Sequence, residues 1–296
     1  MARTRCAQDG FILVAVLWIV AALATLASIY SIYAVKTAAA SHVPDERLQA
    51  EAAIRAGVEL AAFQTLAAPE ATRPTHGAFE ARFGRTRITV RYRSEGARID
   101  LNAAPKELLG GLFASVGVSS SKAATYADRI EGWRKKVPPN TRDVEAEAYK
   151  TAGLAYAPRQ APFDNVLELT LVLGLPPVIV QRILPDVTVF SGKAQVDVVN
   201  ADAEVLAALP GMTPDVLHTV LAARARDPNN GKAIMSELGP ARAHASVDPG
   251  KAYRAQIQVD LQQGRRVEAE VVFALVDGAQ DPFEIVYWRD DFDGPL

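Results

Sequence analysis

Four imidazoles and one thiol are the groups in this 296-residue chain best suited to metal binding or nucleophilic attack. His42, His76, His218 and His244 are too widely spaced for the His-Glu-x-x-His helix face that holds zinc. Cys6 has no second cysteine for a disulfide or a tetrahedral site. His218 stands among apolar neighbours, the setting of a packed or surface histidine rather than a catalyst. No glycine-rich phosphate loop follows a strand pattern. Asp290, Asp291 and Asp293 form one dense acidic cluster, which a solvated tail explains as well as a hard cation does. Arg85, Arg87, Arg91 and Arg93 make a row that could meet phosphate, but the formal net charge of -2 favours a solvated sheet face. Enzyme chemistry and a resident cofactor are therefore not expected. The chemistry legible in the spacing is done to the chain: a leader with Arg3 and Arg5 ends at Gly10, and Phe11 opens an uncharged run to residue 35.

That run needs a helix and a membrane. At about 1.5 Å per residue it exceeds the roughly 30 Å hydrocarbon core of a bilayer, and Lys36 is the first charge beyond it. The positive side of the run stays in the cytoplasm, which sends the remainder across. A secretory signal cut near Ala38-Ala39-Ala40 is an alternative, but its apolar region would be much shorter. A plain uncleaved anchor would leave the Gly10-Phe11 junction without a purpose.

A short charged leader, a glycine and an aromatic residue opening a long apolar helix resemble the class III signal of type IV pilins and of the pseudopilins of type II secretion. The resemblance implies that a membrane prepilin peptidase cuts after Gly10 and that the new amine, on Phe11, is methylated. Most such proteins carry a Glu five residues into the mature chain, where this one has Ala15. An ionised acid at bilayer depth needs a partner, and the absence of this Glu is characteristic of the minor pseudopilin K family of type II secretion.

Past the membrane, Pro44 should kink or interrupt the helix, with Asp45 and Glu46 starting it again. Leu48, Ile54, Val58, Ala61, Ala62 and Leu66 match a 3.6-residue stripe loosely, with Arg55 and Glu59 intruding. After a break at 69–77 the period becomes two, with Thr86, Ile88, Val90 and Tyr92 facing inward. Near the carboxy terminus three strands follow, around 253–261, 267–275 and 283–288.

Residues 99–249 read as almost wholly helical, with an internal repeat: Ile99-Asp100-Leu101-Asn102-Ala103 opens one half and Val196-Asp197-Val198-Val199-Asn200-Ala201 the other. Pro105 suits a first helical position. The stretch around Pro210-Gly211-Met212-Thr213-Pro214 resembles a helix-hairpin-helix turn. Weaker copies surround Gly117, with Ser119 to cap the next helix, and Gly174. Such turns can hold a phosphate at a helix amino terminus, and Arg134, Lys135, Lys136, Arg224 and Arg226 keep open a membrane-tethered DNA-binding protein. Asp215, Pro176 and Pro177 stand where the phosphate contacts would form, so no nucleic-acid partner is expected.

The expected fold is α+β. A pilin-like transmembrane helix (11–67, after a leader at 1–10) packs on a small antiparallel sheet. The sheet comes from an α/β domain at 78–98 and 250–296, and a large all-α helix-hairpin-helix-like domain (99–249) is inserted between its first strand and the last ones. The resemblance implies a single-pass protein of the bacterial inner membrane, with its globular part periplasmic, capping the pseudopilus tip in protein export. It implies as partners the minor pseudopilins I, J and H, the prepilin peptidase and the inner-membrane assembly platform. It also implies that calcium can be bound, though Glu131-Gly132-Trp133-Arg134-Lys135-Lys136 has bases where ligands would be wanted.

Overall fold

The uncharged run and the stripe after it belong to one element. The computed structural model describes residues 9–292 apart from 229, 263 and 279, and side chains in that range except at 9–12, 34–45 and 71. Arg3, Arg5, Cys6 and the rest of the leader up to residue 8 lie outside the described residues, as does Asp293. Helix α1 (Asp9–Leu66) runs for 58 residues. The interruption expected at Pro44 does not occur: the helix passes through it, losing one backbone hydrogen bond out of a long ladder.

No residue of Leu13–Tyr33 is buried. Further on, Ala50, Ala53, Ile54, Val58, Ala61 and Ala62 are buried beneath a sheet, while Leu48 is exposed. The stripe looked loose because its small residues are the contact. Gly57 lies so close to the sheet that a Cβ there would stand 3.1 Å from Val90 Cγ2, and Arg55 and Glu59 point outward rather than intrude.

Strands β1 (His76–Phe83) and β2 (Thr86–Ser94) form a hairpin. The edge strand β1 begins at the end of the expected break at 69–77 and carries only a weak alternation, being half-exposed to exposed throughout. Beyond Ser94 come β3 (Ile99–Asp100), α2 (Lys106–Ser115), α3 (Ser120–Arg134) and α4 (Val144–Thr151). A 3-10 segment (Val166–Leu171), α5 (Pro177–Ile183) and β4 (Val187–Thr188) close this first half. The second half comprises β5 (Val196–Asp197), α6 (Ala203–Ala207), α7 (Pro214–Arg226), α8 (Gly231–Glu237), a 3-10 segment (Gly239–His244) and β6 (Ala245–Ser246). The chain then returns as β7 (Ala252–Asp260), β8 (Arg266–Leu275) and β9 (Phe283–Asp290).

Five strands make an antiparallel sheet in the order β1-β2-β7-β8-β9. One apolar cluster joins α1 to this sheet, from Ala50 to Phe292, and a separate one fills the helical region from Ile99 to Ala245. That region is not all-α. Each half is closed by a two-residue parallel pairing, β3 with β4 and β5 with β6, because both opening strands need a partner for backbone groups buried at their ends.

Candidate functional site

The two halves open on the same kind of aspartate-folded turn. In the first, Asp100 Oδ1 accepts from the amides of Asn102 (2.7 Å) and Ala103 (3.2 Å). In the second, Asp197 Oδ1 accepts from Val199 N (3.1 Å) and its Oδ2 accepts from Asn200 Nδ2 (2.6 Å). Each Asp thus folds its own strand end into a turn that starts a helix. Burial raises the Asp197 pKa, opposed by the Asn200 and Val199 hydrogen bonds.

The turns between paired helices use glycine in the left-handed region, at Gly117 (φ 86°), Gly174 (φ 80°) and Gly211 (φ 85°), where a side chain would be strained. A phosphate site needs free amides after such a turn. At α7 the amides are already taken: Thr213 accepts from Val216 N (3.3 Å), Pro214 has no N–H, and Asp215 sits in the first turn. At α5 the N-cap is Pro176 and Pro177 follows. At α3, Ser119 is the N-cap but makes no capping hydrogen bond with its side chain, and Pro105 is the N-cap of α2 rather than its first residue.

Two of the five bases that kept phosphate binding open are spent inside. Arg134 donates to the carbonyls of Leu101 and Ala104, the latter at 2.7 Å. Arg224 donates to Val198 O (3.3 Å) and Ala201 O (2.6 Å). Each guanidinium ties the end of the second helix back to the turn that opened its half. Burial lowers both arginine pKa values. Sequence reasoning missed this role because the two arginines stand at different distances from their Asp. Among the reachable bases, Arg226, Lys135 and Lys136 remain exposed and do not form a patch with a capping geometry.

No group of three or more His, Cys, Asp or Glu side chains among the described residues could hold a metal ion. The carboxylates near the first hairpin are bridged to arginines, Glu145 to Arg129 at 2.8 Å and Glu168 to Arg159 at 2.8 Å. Asp290 and Asp291 of the acidic cluster near the carboxy terminus are bonded into the sheet. Asp290 accepts from Trp288 Nε1 (2.8 Å), and Asp291 accepts from Glu268 N (2.7 Å). His218 is exposed at the surface of α7.

Where the two apolar clusters meet, Glu95 is 1% exposed. Arg254 of β7 donates to it at 2.7 Å and 3.0 Å, and the Thr188 hydroxyl of β4 donates to the same carboxylate. Burial alone would raise the Glu95 pKa; the Arg254 bonds and charge, with Arg98 and Thr188, hold it below its ordinary value. Nearby, Ser94 Oγ donates to the Pro249 carbonyl, joining the two chain crossings between sheet and helices.

The residues of the amino-terminal junction fall within α1: Gly10 and Phe11 in its first turn and Ala15 one turn on, half-exposed. They are not brought near the Asp100 and Asp197 turns.

The stretch from the end of β2 through the first half of the helical region is the part that matches a known family. A family model for type II secretion system (T2SS), protein K matches residues 92–192. Over those residues the chain is similar to type II secretion system protein K. The fold also matches a chain of the crystal structure of the GspK-GspI-GspJ complex from enterotoxigenic Escherichia coli type 2 secretion system. The TM-score is 0.61 at 14% identity, over 83% of this chain and 98% of that one. No curated protein sequence matches. Leu13–Tyr33 is long and apolar enough to cross a bilayer, as a membrane-anchored protein requires.

Proposed function

We propose that the protein is cut between Gly10 and Phe11 by the prepilin peptidase, methylated on Phe11, and assembled at the periplasmic tip of the pseudopilus with the minor pseudopilins I, J and H. The globular part lies on the periplasmic side of the inner membrane, and the assembly takes part in export across the outer membrane. In this reading residues 78–98 and 250–296 form a pilin-like body around α1, and residues 99–249 are its inserted head.

The observation that carries the reading is the helical region itself. It adds a second apolar core beside the sheet, and a subunit so widened fits a fibre end better than its close-packed interior. Ala15 supports the same position, because a terminal subunit has no neighbour above it whose amine an acid would pair. Moving the apolar part of α1 from lipid to neighbouring helices exchanges one set of van der Waals contacts for another, so extraction can be nearly balanced in free energy.

Intact-mass and amino-terminal analysis of the protein matured in its own cells tests the processing, and pseudopilus length in cells lacking it tests the capping. The expected results are a chain beginning at methylated Phe11 and longer fibres without it. An unprocessed Met1 terminus, or unchanged fibre lengths, would overturn the corresponding half of the proposal.

A further inference from the structure

Between the outer face of the sheet and α7 lies an open cleft of about 770 Å³. Its sheet wall carries Arg91 and Arg93 of β2 and Arg254 of β7; its opposite wall carries Leu221, Arg224 and Pro228. Arg98 closes the inner end beside Glu95. Arg93 and Arg254 stand directly opposite each other across β2 and β7, a like-charge pairing that weakens a sheet unless something else recommends it.

The carboxylates within reach do not balance these bases. Arg93 pairs with Asp202 at 2.8 Å, and Arg254 with Glu95 at 2.7 Å and Glu270 at 2.6 Å. Five guanidinium groups therefore have three carboxylates in direct ion pairs, while Asp186 acts on Arg98 and Asp197 on Arg224 only at longer range. Arg98 reaches only Glu95, at 4.0 Å, and that acid is already held by Arg254. Arg224 bonds to neutral carbonyls. Arg91, exposed at the rim, makes no hydrogen bond or ion pair with a described residue. Burial is the main cause that lowers the Arg98 pKa, with Arg254 and Arg93 adding to it against the pull of Glu95 and Glu270.

From this geometry we infer that the cleft binds an acidic peptide segment of a partner protein, with side-chain carboxylates on Arg91 and Arg98 and the peptide's apolar atoms on Leu221 and Pro228. Guanidinium forks match carboxylates two bonds at a time. The volume lies in the range of sites for organic ligands and far exceeds one inorganic anion. A lipid headgroup is the wrong occupant. Tyr92, between Arg91 and Arg93 on β2 and facing α1, donates to Gln64 Oε1 at 3.4 Å, and Gln64 lies about 46 Å of helix beyond Tyr33, the last residue of the apolar span. The inference does not depend on tip capping, only on α1 standing in a membrane.

The test is fluorescence anisotropy of a labelled hexaglutamate peptide titrated with the full chain in detergent at low salt. Saturable binding is expected, weakened at least about tenfold by Arg91→Glu. Arg87→Glu, on the same face of β2 but outside the cleft, should leave it unchanged. Because Arg91 is exposed and unpaired among the described residues, its replacement does not disturb the fold. No binding, equal weakening by both variants, or displacement of the peptide by equimolar inorganic phosphate would each overturn the assignment.

Discussion

Burial pushes the Asp186 carboxyl from 3.8 up to about 6, and Glu204 and Asp202 push the same way against Arg98. A value raised in the folded state means that the folded chain holds the proton more tightly than the unfolded one. The associated stabilisation is complete below about pH 4 and is lost as the pH rises through about 6. Asp186→Asn keeps the shape and removes the charge. It should be more stable than the parent at about pH 7.5, by up to about 3 kcal/mol, and no more stable at about pH 4. Denaturant unfolding at the two pH values measures this, and a gap independent of pH would refute the electrostatic account. None of it is legible in Leu184-Pro185-Asp186-Val187, because the acids that perturb Asp186 come from the second half of the helical region. The same limit hid Arg134 and Arg224: a sequence shows an arginine near a helix end but not the carbonyls it will meet. Asp100 and Asp197 were legible because their partners are their own next residues.

At the scale of elements, the hairpins were legible and their junction was not. Helix α2 carries Gly110-Gly111 in its interior, where glycine costs about 0.5–1 kcal/mol relative to alanine. The structure separates the two. A Cβ on Gly111 would collide with the Ala208 carbonyl at the end of α6, whereas one on Gly110 would meet nothing within 4 Å. Gly111 is thus where the first half of the repeat rests on the second. Gly111→Ala should destabilise by about 3 kcal/mol, since backbone cannot be pushed aside as a side chain can. Gly110→Ala should stabilise by about 0.5–1 kcal/mol through helix propensity alone. Thermal unfolding of the pair checks both signs. Strand β1 escaped sequence reading for a related reason: an edge strand buries little, so its alternation is faint. Strands β2, β7 and β8, which bury one face against α1 or its neighbours, showed their period plainly.

For the whole molecule, the question is what makes a sheet domain and a helical region with separate apolar cores move as one body. Glu95 is the strongest link between them, since Arg254 holds it from the sheet and Thr188 from the helical region. Removing one member of a buried pair strands the other's charge, which costs about 3–5 kcal/mol. Glu95→Ala should therefore lose about that much, and it should also split one cooperative unfolding transition into two, because the remaining contacts hold each core separately. The pH dependence runs opposite to that of Asp186. A carboxyl held below its ordinary value stabilises the fold above that value and gives the stabilisation up only as the pH falls toward the folded-state pKa. The link thus persists at neutral and mildly acidic pH, where Asp186 is already changing its charge. Calorimetry of parent and Glu95→Ala, each at about pH 7 and about pH 5, separates the two groups. The parent should keep one transition at both values and the variant should show two. A single transition in Glu95→Ala would mean that the shared surface beyond this carboxylate, around Arg93, Asp202 and the Ser94 contact with Pro249, is enough to couple the two parts. Glu95 would then be a local stabiliser rather than the link.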